Sequence, residues 1–300
     1  MKQQSMNGLV TALVLSIVIA SVKLRSDSIS CRAAAGPLPL GDLPEASGVA
    51  VSRRSTGVLW AINDSGEPVL VALDASGAVQ GKVRVAGATV HDWEDMAVAP
   101  CGRDAQRKPA ACIYIADIGD NHANRQHVTI YRMPEPSPRD AETAVPEVFH
   151  ATYPDGPQDA EAFFVTDRGW FIVTKGETGP IRLYRFPSEP RPGATVQLER
   201  VGRPRVEHKT SGGKRITGAA ASPDGRWIAL RTHSAIEFFR ADELAAGRWR
   251  ESGRVDLRAL GERQGEGIAI APDNTVYLVG EGGGASRPGT LARLHCTFAQ

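Results

Sequence analysis

The chain has 300 residues, of which 42% are hydrophobic, and its formal net charge at pH 7 is +1. This length can fill one large all-β domain or two smaller domains, each with a sizeable core. A nearly balanced charge excludes the strongly basic surfaces that bind nucleic acids or anionic membranes. We therefore expect no nucleic-acid partner.

The first residues have the pattern of a secretory signal peptide. Lys2 supplies the positive charge, and the apolar run over residues 9–22 is too short to span a membrane comfortably. Cleavage is expected after Ala20 or near residues 33–35, and the residues before Cys31 do not form a lipobox. We predict a signal peptide over residues 1–30 and a single domain over residues 31–300. The mature protein is then exported to the periplasm or secreted, monomeric and without a membrane span.

One short stretch recurs along the chain in imperfect copies. Residues 92–98 read Asp-Trp-Glu-Asp-Met-Ala-Val, and related segments start at residues 45, 159, 215 and 265. Each copy has a polar, often acidic start, a small residue, a short apolar run and then a turn. A supersecondary unit that repeats about every fifty residues is typical of a β-propeller.

Short β-prone runs separated by Gly, Pro, Asp and Ser divide each repeat into strands. In chain order the predicted strands are residues 48–51, 58–62, 69–73 and 82–85; 96–99, 113–116, 128–131 and 148–152; 162–165, 170–174, 181–186 and 196–201; 218–221, 227–230, 236–239 and 249–257; 267–270, 276–279 and 291–295. Residues 242–246 are the one short helical candidate. Residues 222–225 and 271–274 predict tight turns. The tryptophans near strand ends, Trp60, Trp93, Trp170 and Trp227, are expected to pack between blades.

The fifth repeat lacks a fourth strand, and residues 31–43 can supply it. Pairing the N-terminal segment with the C-terminal blade closes the ring and removes two open sheet edges. We predict an all-β propeller of five four-stranded blades, with a sixth blade as the alternative if the gap between the second and third repeats hides one. Four cysteines in an exported chain predict two disulfides, Cys101–Cys112 across a loop and Cys31–Cys296 as a latch on the ring.

Strand alternation puts the start of each first strand and the end of each second strand on one face. Many of the residues at these points are acidic, so the mouth of the central channel is predicted to be rich in carboxylates, which repel one another unless a cation or a proton is shared. Oxygen ligands without histidine or thiolate clusters favour Ca²⁺ or Mg²⁺. The candidate metal ligands are Asn63, Asp64, Glu94, Asp117, Glu161, Glu266 and Glu281.

Basic side chains at the same mouth suggest chemistry on an anionic group. Lys175 and Arg231 are the candidate substrate-binding residues, and Glu161, Glu266 and His233 are the candidate catalytic residues. This pattern favours the hydrolysis of a small ester, lactone or phosphoester. Two alternatives remain open. The protein is a non-enzymatic envelope module that binds a protein or glycan partner, or its acidic residues serve only to bond backbone amides.

Four segments resemble bacterial exported β-propeller proteins across nearly the whole mature chain. They are residues 59–66 (Leu-Trp-Ala-Ile-Asn-Asp-Ser-Gly), 92–95 (Asp-Trp-Glu-Asp), 114–121 (Tyr-Ile-Ala-Asp-Ile-Gly-Asp-Asn) and 153–162 (Tyr-Pro-Asp-Gly-Pro-Gln-Asp-Ala-Glu-Ala). More distantly, residues 159–162 and 265–269 resemble strand starts of phytase-like, esterase-like and gluconolactonase-type propellers. In the gluconolactonase type such a glutamate binds a divalent cation, so the resemblance implies that role for Glu161 and Glu266. The complete ligand sets of these proteins cannot be traced in this sequence.

Overall fold

A computed structural model describes residues 29–34, 36–103, 107, 109–177, 179–188, 190–203, 215–284 and 286–298. The predicted signal peptide lies outside the described residues, apart from Ile29 and Ser30. In the described part of the chain, no helix combines the length and the apolar character needed to cross a membrane.

The chain forms successive antiparallel β-sheets joined by short turns. Its N-terminal strands are β1 (Ser30–Ala33) and β2 (Leu38–Leu40). The first blade contains β3 (Ala46–Val51), β4 (Leu59–Asn63), β5 (Val69–Leu73) and β6 (Val79–Arg84), and the second contains β7 (Trp93–Arg103), β8 (Pro109–Asp117), β9 (Val128–Pro134) and β10 (Glu147–Thr152).

The remaining elements complete three further sheets. The third blade contains β11 (Ala160–Thr166), β12 (Gly169–Thr174), β13 (Leu183–Arg185) and β15 (Glu199–Gly202), with β14 (Thr195–Gln197) preceding β15. The fourth contains β16 (Ile216–Ala221), β17 (Trp227–Thr232), β18 (Ala235–Arg240) and β19 (Glu251–Asp256), with the short helix α1 (Ala241–Ala245) after β18 and a 3₁₀ turn over Arg258–Leu260. The fifth contains β20 (Gln264–Ile270), β21 (Thr275–Glu281) and β22 (Gly289–Thr297).

The five sheets are the blades of a closed ring. The innermost strands β3, β7, β11, β16 and β20 are neighbours in that order, and β20 in turn lies against β3. Five clusters of buried apolar side chains fill the five junctions between blades. Trp60, Trp93, Trp170 and Trp227 are all buried within them, as expected. The prediction of a five-bladed propeller is confirmed.

The N-terminal segment closes the ring as predicted. Strands β1 and β2 both pair with β22 in antiparallel register, and Cys31 lies directly opposite Cys296. These two cysteines form a disulfide, and Cys101 and Cys112 form the second. Ile29 is buried and packs over Gly253 of the fourth blade, so the N-terminal segment also contacts the neighbouring sheet.

One predicted strand divides between two blades. The run over residues 196–201 was expected to form the outer strand of the third blade, but it separates at Leu198. Strand β14 pairs in parallel with β10 of the second blade, whereas β15 pairs with β13 of the third. The buried Leu198 side chain packs in the apolar cluster between these blades, and its amide donates to the Thr152 carbonyl, 2.8 Å away. Burying this side chain draws the chain across the junction.

The ring-closing disulfide is expected to contribute more stability than the loop disulfide. It joins residues 265 positions apart, against 11 for Cys101–Cys112. Because the loop-entropy contribution grows with the logarithm of loop length, Cys31→Ser/Cys296→Ser should lower the free energy of unfolding by ~3 kcal/mol more than Cys101→Ser/Cys112→Ser. Urea denaturation of both double variants without reductant measures the difference. Equal losses would contradict a latch that constrains the whole ring.

Candidate functional site

A β-bulge recurs at the same point in every innermost strand. The strand register shifts near the start of each repeat, on β3, β7, β11, β16 and β20. A bulge of this kind re-aims a side chain next to the ladder. The bulged residues are Ser47, Glu94, Glu161, Thr217 and Glu266, and all five are buried. The repeat thus presents a set of polar side chains at one end of the channel, three of them carboxylates.

Two of the five side chains form hydrogen bonds with backbone carbonyls. The Ser47 hydroxyl donates to the Trp93 carbonyl at 2.6 Å, and the Thr217 hydroxyl donates to the Gly265 carbonyl at 2.8 Å. Both bonds link one blade to the next. Serine and threonine therefore hold the ring together at positions where the other three blades carry glutamate.

Glu161 is held by Lys175. Its Oε1 forms an ion pair with Lys175 Nζ, while its buried Oε2 accepts no hydrogen bond from the residues that the structure describes. The same ammonium lies 3.8 Å from Asp159 Oδ2 and 3.7 Å from Glu177 Oε2. Burial alone would lower the pKa of Lys175, but the charge of Glu161 raises it above its ordinary value, so the ammonium stays charged.

The three glutamates share a crowded, water-poor environment. Burial raises the pKa of Glu94 and of Glu266 well above the ordinary value, and the charge of Glu161 adds to both shifts. Burial also raises the pKa of Glu161 to about 7, with Lys175 acting in the opposite sense. Like charges this close cannot all ionise without a counter-charge. Near neutral pH the folded state therefore favours the protonated forms of these carboxylates.

A second acidic group lies beside the first, between the fifth and first blades. Burial raises the pKa of Asp64 to about 6, with help from Glu45, and raises that of Glu281 to about 7, with help from Asp64. One oxygen of Asp64 is buried and has no hydrogen-bond partner within the described ranges. Asp92 interacts with both acidic groups through its charge.

Gly119 lets two of these carboxylates approach the backbone. A Cβ atom at this position would overlap the carboxylates of Asp92 and Glu94. The amide of Gly119 also donates to the Asp92 carbonyl at 3.3 Å. Residues 117–121, which the sequence placed at the mouth, therefore form its wall at the second blade.

Two predicted metal ligands are occupied by other contacts. Asp117 is fully buried, and its Oδ1 lies 2.7 Å from Arg125 Nη1, while its Oδ2 accepts from the His91 amide at 3.2 Å. The Asn63 side-chain oxygen accepts from the Glu45 amide at 3.2 Å. Both side chains tie loops at the mouth to the strands below.

Arg231 was expected to bind substrate, but the structure places it inside the scaffold. Its side chain is fully buried and donates to the carbonyls of Gly267 and Val279, at 2.6 and 2.7 Å. Its second terminal nitrogen forms an ion pair with Glu262, 2.7 Å away. Strand β17 contacts β20 close to its register shift, which leaves Gly267 and Val279 out of the β20–β21 pairing. Arg231 is therefore in place to donate to their carbonyls.

His233 lies next to one of the three glutamates. Its Nδ1 is 3.9 Å from Glu266 Oε1 and 3.2 Å from the Gly265 carbonyl. Burial lowers the pKa of His233, so the ring is neutral at pH 7. A carbonyl oxygen can only accept, so Nδ1 carries the hydrogen and Nε2 keeps a lone pair. This half-buried imidazole can act as a base.

Asp95 has a structural role that the sequence did not reveal. It was expected at the mouth with its acidic neighbours, but it is fully buried. Its carboxylate accepts from the amides of Phe163, Ala219 and Met96 at 2.8, 3.0 and 2.8 Å. One side chain thus joins β7, β11 and β16. Its position one residue after a bulged glutamate was the signal that could have identified it.

An open cavity lies at the opposite end of the innermost strands. It has a volume of about 770 Å³ and is lined by the C-terminal halves of all five, including residues 49–53, 96–100, 163–167, 219–225 and 268–270. The carboxylates and this cavity are therefore at different ends of the channel. The titratable groups, not the cavity, locate the candidate chemical site.

Comparison of the sequence with protein-family models and with curated proteins gives no match. The resemblance to exported bacterial propellers thus stays a prediction. Similar solved structures include a Xanthomonas campestris gluconolactonase (13% identity, 84% of this chain and 72% of that chain, TM-score 0.44), a glucose dehydrogenase (13%, 88% and 98%, 0.47) and a calcium-binding regucalcin of Agrobacterium tumefaciens (14%, 87% and 95%, 0.42). Similarity this low does not extend to function.

Removing the Asp95 carboxylate should destabilise the ring. Asp95→Ala leaves three buried amides without an acceptor, and we expect a loss of about 3 kcal/mol or more in the free energy of unfolding. Asp95→Asn keeps one acceptor oxygen and should lose less. Urea denaturation measures both, with Asp167→Ala in the exposed β11–β12 turn as the control. An Asp95→Ala variant as stable as the control would contradict this role.

The mouth carboxylates should make the protein less stable as the pH rises. Folding raises the pKa of Glu161 and Glu281 from the ordinary value of 4.5 to about 7, so the folded state binds more protons across this window. Stability must then fall as pH increases through it. Denaturation in EDTA at pH values from about 4.5 to about 7.5 measures the slope. Glu281→Gln should flatten it, whereas Glu251→Gln, on the outer strand β19, should leave it unchanged.

Proposed function

We propose that the acidic mouth binds a divalent cation, Ca²⁺ or Mg²⁺, and hydrolyses a small ester, lactone or phosphoester. The observation that carries this proposal is the group formed by Glu94, Glu161 and Glu266. These side chains are buried and repel one another; Lys175 is the opposing charge for Glu94 and Glu161, and Arg231 for Glu266. Maintaining such a group lowers stability at neutral pH, and perturbed acids of this kind are typical of functional sites.

The donor set suits a hard cation. It consists of carboxylate oxygens, which Ca²⁺ and Mg²⁺ prefer, and the buried Glu161 Oε2 has no competing hydrogen-bond partner in the described part of the chain. Among the described residues, no three His, Cys, Asp or Glu side chains are grouped as a ready-made metal site. Binding would therefore require Glu161 to exchange its contact with Lys175 for the cation. When bound, the ion would polarise a substrate oxygen and lower the pKa of a coordinated water.

The protein's own residues supply the proton transfers. His233, neutral with Nε2 free, accepts a proton from the attacking water as its oxygen bonds to the acyl carbon. The His233 imidazolium can then return this proton to the leaving oxygen as the ester bond breaks, while Glu161 stays ionised to hold the cation. Lys175, always charged, stabilises the oxyanion that develops between these steps. For a lactone, the product is a hydroxy acid.

The proposed place of action is outside the cytoplasm. Two disulfides in a chain of this size favour an oxidising compartment, and the N-terminal pattern of residues 1–30 predicts export.

A second candidate is a non-enzymatic envelope module that binds a protein or glycan. The cavity of about 770 Å³ at the end opposite the carboxylates favours it, because a partner could insert a side chain or sugar there. If this candidate is correct, changes at Val98 or Ala221 on the cavity wall should abolish capture, and changes at the mouth should not.

The decisive experiment measures cation binding and turnover in one pair of variants. For the wild type we expect Ca²⁺ at 100 times its Kd to stabilise the protein by about 2.7 kcal/mol, seen as a higher melting temperature. Glu161→Gln/Glu266→Gln should abolish this shift and reduce turnover on an ester, lactone and phosphoester panel by about a hundredfold or more.

The matched control is Glu243→Gln, on helix α1, which should leave both measurements unchanged. If neither Ca²⁺ nor Mg²⁺ shifts the melting temperature, and no substrate of the panel is turned over, the proposal fails.

A further inference from the structure

A groove on the outer part of the third blade plays no part in the proposed hydrolysis. It has a volume of about 440 Å³, within the range of small-molecule sites, and lies at the β11–β12 turn, on the face away from the carboxylates. Three arginines line it: Arg132, Arg168 and Arg185. Its other walls include Trp170, Phe186, Pro187 and Pro190.

Two of the arginines retain unused donor capacity. Arg132 directs its Nε and Nη2 at a single oxygen of Glu147, both at 2.7 Å. Arg185 directs its Nε and Nη2 at a single oxygen of Glu199, at 3.2 and 2.5 Å. A guanidinium has five N–H donors, so each pair leaves some for a ligand. Because both glutamates are about half exposed, these ion pairs are weak and can be shared.

Arg168 is the third donor and differs from the other two. It is exposed in the turn between β11 and β12, and its guanidinium has no ion-pair partner among the residues that the structure describes. The turn itself is held by the bond from the Arg168 amide to the Thr166 hydroxyl, at 3.1 Å. Arg168 therefore presents a full positive charge over the groove from an anchored backbone.

Aromatic rings beside the groove fix the orientation of the Arg132 guanidinium. The Arg132 guanidinium lies over the rings of Phe149 and Trp170, 4.9 and 5.4 Å from their centroids. This stacking holds its plane in place without using its N–H donors. Phe186 and the prolines offer apolar surface beside the charged rim.

The charges of the groove select the class of ligand. Among the residues that the structure describes, three guanidinium groups face two carboxylates, Glu147 and Glu199, which leaves one excess positive charge. A planar carboxylate matches the arginine fork in shape and charge. We propose that this groove binds a small monocarboxylate whose body has an apolar face, such as an aromatic acid. Arg168 and Arg185 hold the carboxylate, and the aromatic and proline walls contact the body.

Isothermal titration calorimetry with benzoate, at physiological ionic strength, tests this proposal. Benzamide has the same shape without the charge, acetate has the charge without the apolar body, and inorganic phosphate has a different anionic geometry. We expect benzoate to bind at least about tenfold more tightly than any of the three, since a charge-assisted hydrogen bond and apolar contacts are both needed. Arg168→Ala should weaken benzoate binding about tenfold or more.

Two further variants separate the groove from other effects. Arg185→Gln should also weaken binding, whereas Arg226→Ala, an exposed arginine of the fourth blade, should not. Melting temperatures of the variants confirm that each is folded. Absence of saturable benzoate binding, equal binding to Arg168→Ala, or a preference for phosphate or benzamide would each overturn the proposal. None of these outcomes depends on turnover or cation binding at the channel mouth.

Discussion

The structure depends on satisfying the inner edges of five strands that line a narrow channel. Each innermost strand pairs on one side only, so its remaining amides and carbonyls lack a sheet partner, and those that are buried must find another. Asp95 supplies an acceptor to two other blades, and Ser47 and Thr217 supply donors. Arg231 does the same for the carbonyls of the fifth blade. The polar residues of the repeat are first of all the connections between blades.

Against this background the three bulged glutamates are exceptional. They occupy the same position as Ser47 and Thr217, but one oxygen of Glu161 has no hydrogen-bond partner among the described residues, and burial disfavours their ionised forms. Serine or threonine at all five positions would satisfy the backbone without this electrostatic cost. The three glutamates lower the stability of the protein, and they lie at one end of the channel beside a charged lysine and a neutral histidine. This combination fits a binding or catalytic role better than a structural one.

The fold separates its candidate sites by placing them at different ends of the strands. The carboxylates follow from strand starts, whereas the apolar cavity and the arginine groove involve strand ends and the turns beyond them. The covalent latch at Cys31–Cys296 lies in the outer part of the fifth blade, away from all three. A substitution at the disulfide latch, at the carboxylates or at the groove can therefore alter one of these features and leave the others unchanged. Propellers in general carry their sites independently of the scaffold in this way.

The sequence by itself determined the architecture, because strand length, turn residues and the repeat of residues 92–98 are local patterns that report directly on a propeller. It also determined the face on which the acidic residues lie, because strand alternation puts the start of each first strand and the end of each second strand on the same face. Only the tertiary structure decided which of those residues bond to the scaffold and which bond to one another at the mouth. Arg231 carries the same charge as Lys175, but it forms an ion pair with Glu262, which lies far away in the sequence. Asp117 carries the same charge as Glu161, but it forms an ion pair with Arg125 across a loop. Whether a polar side chain serves the backbone or a ligand depends on those partners, and a single strand pattern does not encode them.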